Sequence, residues 1–256
     1  MKKPYKKVIL WAAAAAALAG GAGTTIAYFT DTETKVNVFT MGDLVIDLSE
    51  PEWDPTPENG TGDGQNMYPG YTVYKNPTIK NVTSDENGDE PCYARIRIRI
   101  TDHDGELIQD GEVLEMINQM IYFDETYDGD FEHKGTSEGI IEGREPGYSL
   151  KELSAFPTVN PVFVKDEQRS EEATIVYNYM GTDGNGILRI GEEAALFTNI
   201  AVPTDWNQMQ ISQIGDFRLD IEAECIQCGG FAAQEEAFLA LDQAIEEEAL
   251  LEWKKD

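Results

Sequence analysis

The chain has 256 residues, of which 48 are acidic and 19 are basic, so its net charge at neutral pH is −29. Such a charge repels the phosphate backbone of nucleic acids, and binding to them would require a basic patch. The only dense basic run, Arg95, Arg97 and Arg99, alternates with isoleucines as in a β-strand. The sequence therefore argues against a nucleic-acid partner and predicts that these arginines pair with nearby carboxylates.

Residues 1–27 have the layout of an export signal. Four lysines among the first seven residues precede an uncharged stretch over 8–30, whose alanine-rich centre gives way to glycines. This centre is shorter than the ~20 firmly apolar residues of a membrane-spanning helix. Thr25 and Ala27 place small residues where a signal peptidase binds, so we expect cleavage between Ala27 and Tyr28, with an uncleaved membrane anchor as the alternative.

After residue 42, short segments with alternating apolar residues predict β-strands. Pro77 interrupts one of them, which favours a bulge or a sheet edge, and the glycine-rich run 181–186 predicts a β-hairpin between its two neighbours. The predicted strands cover 43–48, 71–79, 92–101, 174–180, 187–190, 195–202 and 217–225. Many strands with few helices predict a mainly β fold, an antiparallel jelly-roll sandwich spanning 43–230.

Three segments have the apolar spacing of helices. The first two, 112–123 and 149–156, are short and fall in insertions between strands, and Pro157 ends the second. In the acidic segment 231–256, Phe238, Leu241, Ile245 and Leu250 lie among many glutamates, which predicts an amphipathic helix. We expect this C-terminal helix to pack on the sandwich.

No catalytic constellation accompanies the sequence motifs that resemble active sites. Residues 135–139 match G-x-S-x-G, but that chemistry needs a histidine after the serine, and both His103 and His133 precede Ser137. No H-E-x-x-H pair is present either. We therefore expect no enzymatic activity, and we expect both histidines to lie in solvated loops.

Three cysteines, Cys92, Cys225 and Cys228, occur in a chain that we expect to be exported. Cys225 and Cys228 could form a redox pair, but such a pair belongs at the start of a helix. A zinc site would need a fourth ligand. The favoured hypothesis is a structural disulfide from Cys92 to Cys225 or Cys228, because disulfides persist outside the cell. The third thiol would then stay unpaired or bond another chain.

Acidic loops at 85–90, 102–105 and 124–130 resemble calcium loops in composition alone. None has the ligand spacing of an EF-hand. We expect solvated loops with, at most, weak Ca²⁺ binding, and the sequence assigns neither a metal site nor another cofactor.

Four segments of the chain resemble the TasA and camelysin family of exported proteins, whose signal peptides are processed by a peptidase of the SipW type. The most specific segment is A-Y-F-T-D-T-E at 27–33, followed by Asn37, Phe39 and G-D-L at 42–44. Later similarities lie at 68–70 with 76–81, at 191–192 with 196–198 and 203–206, and at 222–224 with 226–227. Cys225, Cys228 and the acidic C-terminal helix depart from the family pattern.

The resemblance implies a secreted jelly-roll subunit of biofilm matrix fibres, located in the extracellular matrix or at the cell surface. Its partners would be copies of itself, a SipW-type signal peptidase, and other matrix or cell-wall components. Camelysin, by contrast, is labelled a surface metalloprotease. We rank the fibre subunit first, a metallopeptidase second, and a non-catalytic carbohydrate- or surface-binding module third.

The segment 28–42 is the candidate polymerisation strand. It combines apolar Phe29, Val36, Val38 and Phe39 with β-branched threonines, and signal cleavage would free its N-terminus. A strand donated to the sheet edge of a neighbour would satisfy unpaired backbone groups there. The alternative is that this segment completes the sandwich of its own chain.

Overall fold

The computed structural model describes residues 30–33, 44–50, 64, 67–83, 90–126 and 147–253. Ala27, Tyr28, Phe29, Val36, Val38 and Phe39 lie outside these residues, as do the predicted signal peptide, the G-x-S-x-G motif and His133.

Within the described residues the fold is mainly β, with antiparallel pairing and mostly short helices. The strands are β1 (Thr30–Glu33), β2 (Ile46–Ser49), β3 (Thr72–Tyr74), β4 (Thr78–Asn81), β5 (Cys92–Asp102), β6 (Ile121–Tyr122), β7 (Phe163–Lys165), β8 (Thr174–Tyr179), β9 (Ile187–Leu188), β10 (Glu193–Ala195), β11 (Asn199–Ala201) and β12 (Phe217–Gln227). The helices are α1 (Gly111–Met120), α2 (Leu150–Leu153), α3 (Gln208–Ile214) and α4 (Gln234–Trp253).

The longest strands, β5 and β12, form the centre of a six-stranded sheet. They pair antiparallel over eleven residues each, from Cys92 opposite Gln227 to Asp102 opposite Phe217. The order is β1-β12-β5-β8-β7, and β9 also pairs with β5. The predicted strand at 92–101 is therefore confirmed, since its isoleucines occupy the buried face.

The predicted segment 71–79 is wrong as a single strand. It forms β3 and β4, which belong to two different three-stranded sheets, ordered β3-β11-β6 and β10-β4-β2. Pro77 lies between them, where its missing N–H costs no ladder hydrogen bond, while its carbonyl accepts from the Leu196 amide at 2.9 Å. The predicted strand 195–202 is likewise divided between β10 and β11.

The predicted hairpin around 181–186 is also wrong. Both β8 and β9 pair antiparallel with the same side of β5, at 95–99 and at 92–93 respectively, so the chain leaves the edge and rejoins it without reversing. The Gly186 amide donates to the Met180 carbonyl at 2.9 Å and closes this excursion, and Gly181, Gly184 and Gly186 all have positive φ.

One apolar core unites the three sheets. Ile46, Val73, Ile96 and Ile200, which come from different strands of all three, belong to the same cluster of buried residues. Helix α1 adds to this core with Val113, Leu114, Ile117 and Met120, and Asp110 caps it by accepting hydrogen bonds from two backbone amides. The predicted helices over 112–123 and 149–156 are confirmed as α1 and α2, within a few residues.

Helix α4 packs on the opposite face of the six-stranded sheet, as the sequence predicted. A second apolar cluster joins Tyr93 and Ile226 of the sheet to Ala237, Phe238 and Leu241 of the helix. The connection from β12 passes through Gly229 and Gly230, and Gly230 has a φ of 96°. Among the described residues, no helix combines the length and apolar character needed to cross a membrane.

Candidate functional site: the sheet edge and the charged face under the C-terminal helix

The N-terminal strand β1 lies at the outer edge of the six-stranded sheet. It pairs with β12 of the same chain, from Thr30 opposite Ile226 to Glu33 opposite Ala223. β12 extends beyond this pairing to Phe217, and no strand in the described part of the chain pairs with 217–222 on that side. A strand edge without a partner can accept a further strand through its backbone groups.

The face of this sheet that carries α4 is charged as well as apolar. Arg95 stands opposite Glu224 and Arg97 opposite Glu222, because alternate residues of paired strands share one face. The Arg95 Nε lies 2.5 Å from a Glu224 carboxylate oxygen, and an Arg97 Nη1 lies 2.8 Å from the other. The predicted pairing of the arginines with carboxylates is confirmed.

Arg95 is fully buried beneath α4. Its side chain and that of Glu224 are 0% and 1% exposed, and its guanidinium carbon lies 5.1 Å from the centroid of the Phe238 ring, a cation–π distance. Burial of a charge is tolerated only when the charge is paired and hydrogen-bonded. Glu224, Asp242 and Phe238 together supply these contacts.

Asp242 of α4 bridges two arginines, one in β5 and one in the turn after β7. It accepts from an Arg95 Nη2 at 2.6 Å and from the Arg169 Nε at 2.7 Å. Arg169, which follows β7, also donates to Asp166 at 2.8 Å and to both carboxylate oxygens of Glu235 at 3.2 Å. These residues form the helix clamp: Arg95, Glu224, Arg169, Asp166, Glu235 and Asp242.

The contacts of the clamp lower the pKa of two of its acids, Asp242 and Asp166. Burial raises the pKa of the Asp242 carboxyl, but hydrogen bonds from Arg95 and Arg169 outweigh it, and the net pKa lies below the usual value. The pKa of Asp166 is lowered in the same way by Asn178 and Arg169, against its burial. The pKa of Arg169 is raised, since its three acidic partners overcome the effect of burial.

The N-terminus of α4 has a further attachment. The Gln234 side-chain amide donates to the Tyr179 carbonyl at 2.8 Å and to the Gly186 carbonyl at 3.4 Å. Gln234 therefore ties the first turn of α4 to the end of β8 and to the excursion that follows it.

The predicted disulfide from Cys92 is not formed in the structure, where Cys92 is a buried free thiol. Cys92 lies opposite Gln227, and Cys225 lies opposite Ala94, so these two cysteines are diagonal neighbours on the core face. Diagonal Cα atoms are ~7–8 Å apart, at or beyond the limit for a disulfide. Cys228 packs in the cluster under α4, on the other face of the sheet. The strand register thus keeps Cys225 a diagonal step away from Cys92, and Cys228 lies on the opposite face.

The turn after β5 holds the one group of three potential metal ligands in the described part of the chain, Asp102, His103 and Asp104. The side chains of His103 and Asp104 are 69% and 70% exposed, and the His103 Nε2 lies 3.1 Å from an Asp104 oxygen. His103 is therefore a solvated loop residue, as predicted. Exposed acids of this kind do not define a site.

Sequence reasoning did not find Arg169, Asp166 or Asp242. A signal was present for Asp242, since it follows Phe238 by four residues and Glu235 by seven and therefore shares one helix face with both. No comparable signal connects Arg169 to this face, because only the fold brings residues 169 and 242 together.

Comparisons of the chain with protein-family models, with curated proteins and with solved structures give no match.

Proposed function

We propose that this protein is a secreted structural subunit of extracellular, biofilm-type fibres, which polymerises head to tail by donation of its N-terminal strand. Its main partner is then a second copy of the chain. A signal peptidase of the SipW type releases it, and matrix or cell-wall components are further partners.

The position of β1 carries this proposal. A four-residue strand at the N-terminus lies on the outer edge of a sheet and pairs only with β12 among the described strands. A strand with so little pairing can exchange its own edge for that of a neighbour at small cost, because the same backbone hydrogen bonds form in either case. In this proposal, β1 of the free subunit pairs with β12 of its own chain.

The stretch 217–222 of β12, which has no strand partner on this side among the described residues, has the length that a longer donated strand requires. If a donated strand continued the register of β1 beyond Glu33, its residues 34–39 would lie opposite 222–217 of β12. Val36, Val38 and Phe39 fall within that stretch. Donor and acceptor are different surfaces of one molecule, so the contact is heterologous and propagates into an open filament unless rotation closes a ring.

We further infer that the three antiparallel sheets form a jelly roll, supported by their shared core. A structural role suits the described residues better than catalysis. The charged side chains of the helix clamp form ion pairs with one another. Asp102, His103 and Asp104 follow one another in a turn, and the last two are exposed.

Export should yield a chain that begins at Tyr28. The small residues Thr25 and Ala27 precede this position, and the apolar stretch before them is short for a spanning helix. Mass spectrometry of protein secreted from a host with a SipW-type peptidase should give the mass of residues 28–256. Recovery of full-length chain alone, in membranes, would contradict this expectation.

Deletion of residues 28–38 tests donation. The shortened subunit keeps the acceptor edge of β12 and lacks most of the donor, so it should fold as a soluble monomer that forms no filaments by electron microscopy. Added at a low ratio to the wild-type subunit, it should also bind the donor strand at a growing end. Because it offers no donor strand of its own, it should stop growth there and shorten the fibres.

The substitution Thr32→Val is the matched control, since it retains β-branching in β1. This variant should polymerise like the wild type. Filaments of unchanged length from the deleted subunit, with circular dichroism showing an intact fold, would refute strand donation. That outcome would indicate that β1 only completes its own sheet.

A further inference from the structure

Besides the Gln234 hydrogen bonds at its first turn, helix α4 is held on the sheet by two kinds of side-chain contact. Ala237, Phe238 and Leu241 are fully buried, whereas Asp242 and Glu235 attach the helix to Arg95 and Arg169. The first contacts are insensitive to pH, and the second depend on ionised carboxylates. Because α4 is joined to β12 through Gly229 and Gly230 and is not itself a strand of the sheet, its release would leave the pairing of β5 and β12 in place.

We propose that α4 is an acid-released cover: protonation of Asp242 detaches the helix and uncovers the Arg95 face of the sheet, while the sandwich remains folded. This inference does not depend on fibre assembly.

Several charged and titratable groups surround Asp242 from the packed elements. β5 contributes Arg95 and Arg97, β12 contributes Glu222 and Glu224, and the segment after β7 contributes Asp166 and Arg169. Tyr93 and Cys228 adjoin the apolar cluster under the helix. α4 itself contributes Glu235 on Arg169. Of these groups, Asp242 is the one that lies on α4 and contacts both Arg95 and Arg169.

The direction of the pH effect follows from these contacts. The pKa of Asp242 is lower when the helix is docked than when it is free, so docking is fully stabilised above the ordinary Asp pKa. The stabilisation falls as the pH drops through the docked pKa. Loss of the Asp242 charge also leaves Arg95, whose Nη1 already has no hydrogen-bond partner, with Glu224 as its sole anionic partner among the described contacts.

Hydrogen exchange followed by mass spectrometry tests the proposal on the full exported chain. After correction for intrinsic exchange, protection of amides in 237–246 should fall several-fold between about pH 6 and about pH 3. Amides of β5 should keep their protection. The substitution Asp242→Asn removes the charge and should lower α4 protection at about pH 6 by a similar factor and flatten its pH dependence.

The control is Glu246→Gln, an equal loss of charge at an exposed position of α4. It should leave the protection of α4 and its pH profile unchanged. Three results would overturn the proposal: equal effects of the two substitutions, constant α4 protection in the wild type across this range, or joint loss of protection in α4 and β5. The last would show that acid unfolds the whole chain instead of releasing the helix.

Discussion

Arg95 is the largest side chain in the described structure with no exposed surface. Its position could be predicted in part. Alternation with isoleucines places Arg95, Arg97 and Arg99 on one face of a strand, and Glu222 and Glu224 alternate in the same way on a second strand. That the arginines lie directly opposite the glutamates depends on the register between β5 and β12, and the pattern of one strand does not give this register. The contact with Asp242 spans 147 residues, and no local pattern predicts it.

Substitution Arg95→Met should lower the free energy of unfolding by about 3–5 kcal/mol, because it removes one partner of a buried ion pair and leaves the other charge buried. Urea denaturation measures the change. Arg99→Met is the control, since the Arg99 side chain is 47% exposed and its pairing with Glu222 is long, at 3.6 Å. We expect a change within ~1 kcal/mol there. Equal effects at both positions would contradict the burial argument.

Gly147 lies so close to the backbone of Gly70 that it tolerates no side chain. A Cβ atom on Gly147 would lie 2.5 Å from the Cα and carbonyl oxygen of Gly70, and Gly70 itself has a φ of +84°. Backbone atoms cannot rotate away as a side chain would. Gly147→Ala should therefore destabilise the fold by about 1–3 kcal/mol in urea denaturation.

Gly111→Ala provides the comparison for this prediction. Gly111 is the first residue of α1, and a Cβ there would meet no atom within 4 Å. Alanine at such a helical position should be neutral or stabilise by up to ~1 kcal/mol, because it restricts the unfolded chain. A loss of stability in both variants would show that the close contact of Gly147 is not the cause.

At the scale of elements, sequence patterns located strands better than they located strand partners. Glycines and asparagine at 181–186 indicate a change of direction, yet the chain continues along β5, because those residues suit any tight excursion with positive φ. Pro77 marks a break correctly, but alternation on both sides cannot show that β3 and β4 enter different sheets. The docking of α4 was predictable, since Phe238, Leu241 and Ile245 share one face.

Phe238 should contribute most of the apolar docking of α4. Its side chain is fully buried under the helix, and both Arg95 and Arg169 lie near its ring. Phe238→Ala should remove about 3 kcal/mol from the docking free energy, and hydrogen exchange of α4 measures the loss. The adjacent residue gives a matched control: Leu239 is 52% exposed, and Leu239→Ala should change docking by no more than ~0.5 kcal/mol. Similar losses in both variants would show that the helix docks through another face.

Charge dominates the behaviour of the whole molecule. The net charge is −29, and removal of residues 1–27 with their four lysines would make it −33. Much of the buried positive charge is neutralised within the helix clamp, so two subunits that approach each other meet mainly acidic surface. Repulsion of this kind opposes assembly at every contact and is weakened by salt.

Growth of the proposed fibres should therefore accelerate with ionic strength. Raising the salt from about 0.01 M to about 0.15 M shortens the Debye length from ~30 Å to ~8 Å, which screens repulsion between subunits before their strands can pair. Light scattering at a fixed concentration of mature protein should show growth several-fold faster in the higher salt. Calcium chloride at matched ionic strength distinguishes screening from binding: equal rates in sodium and calcium salts indicate screening alone, whereas faster growth in calcium would indicate that the acidic loops bind the ion. Growth that slows as sodium chloride rises would contradict the prediction. It would mean that salt screens an attraction between charges on the subunits and not a repulsion.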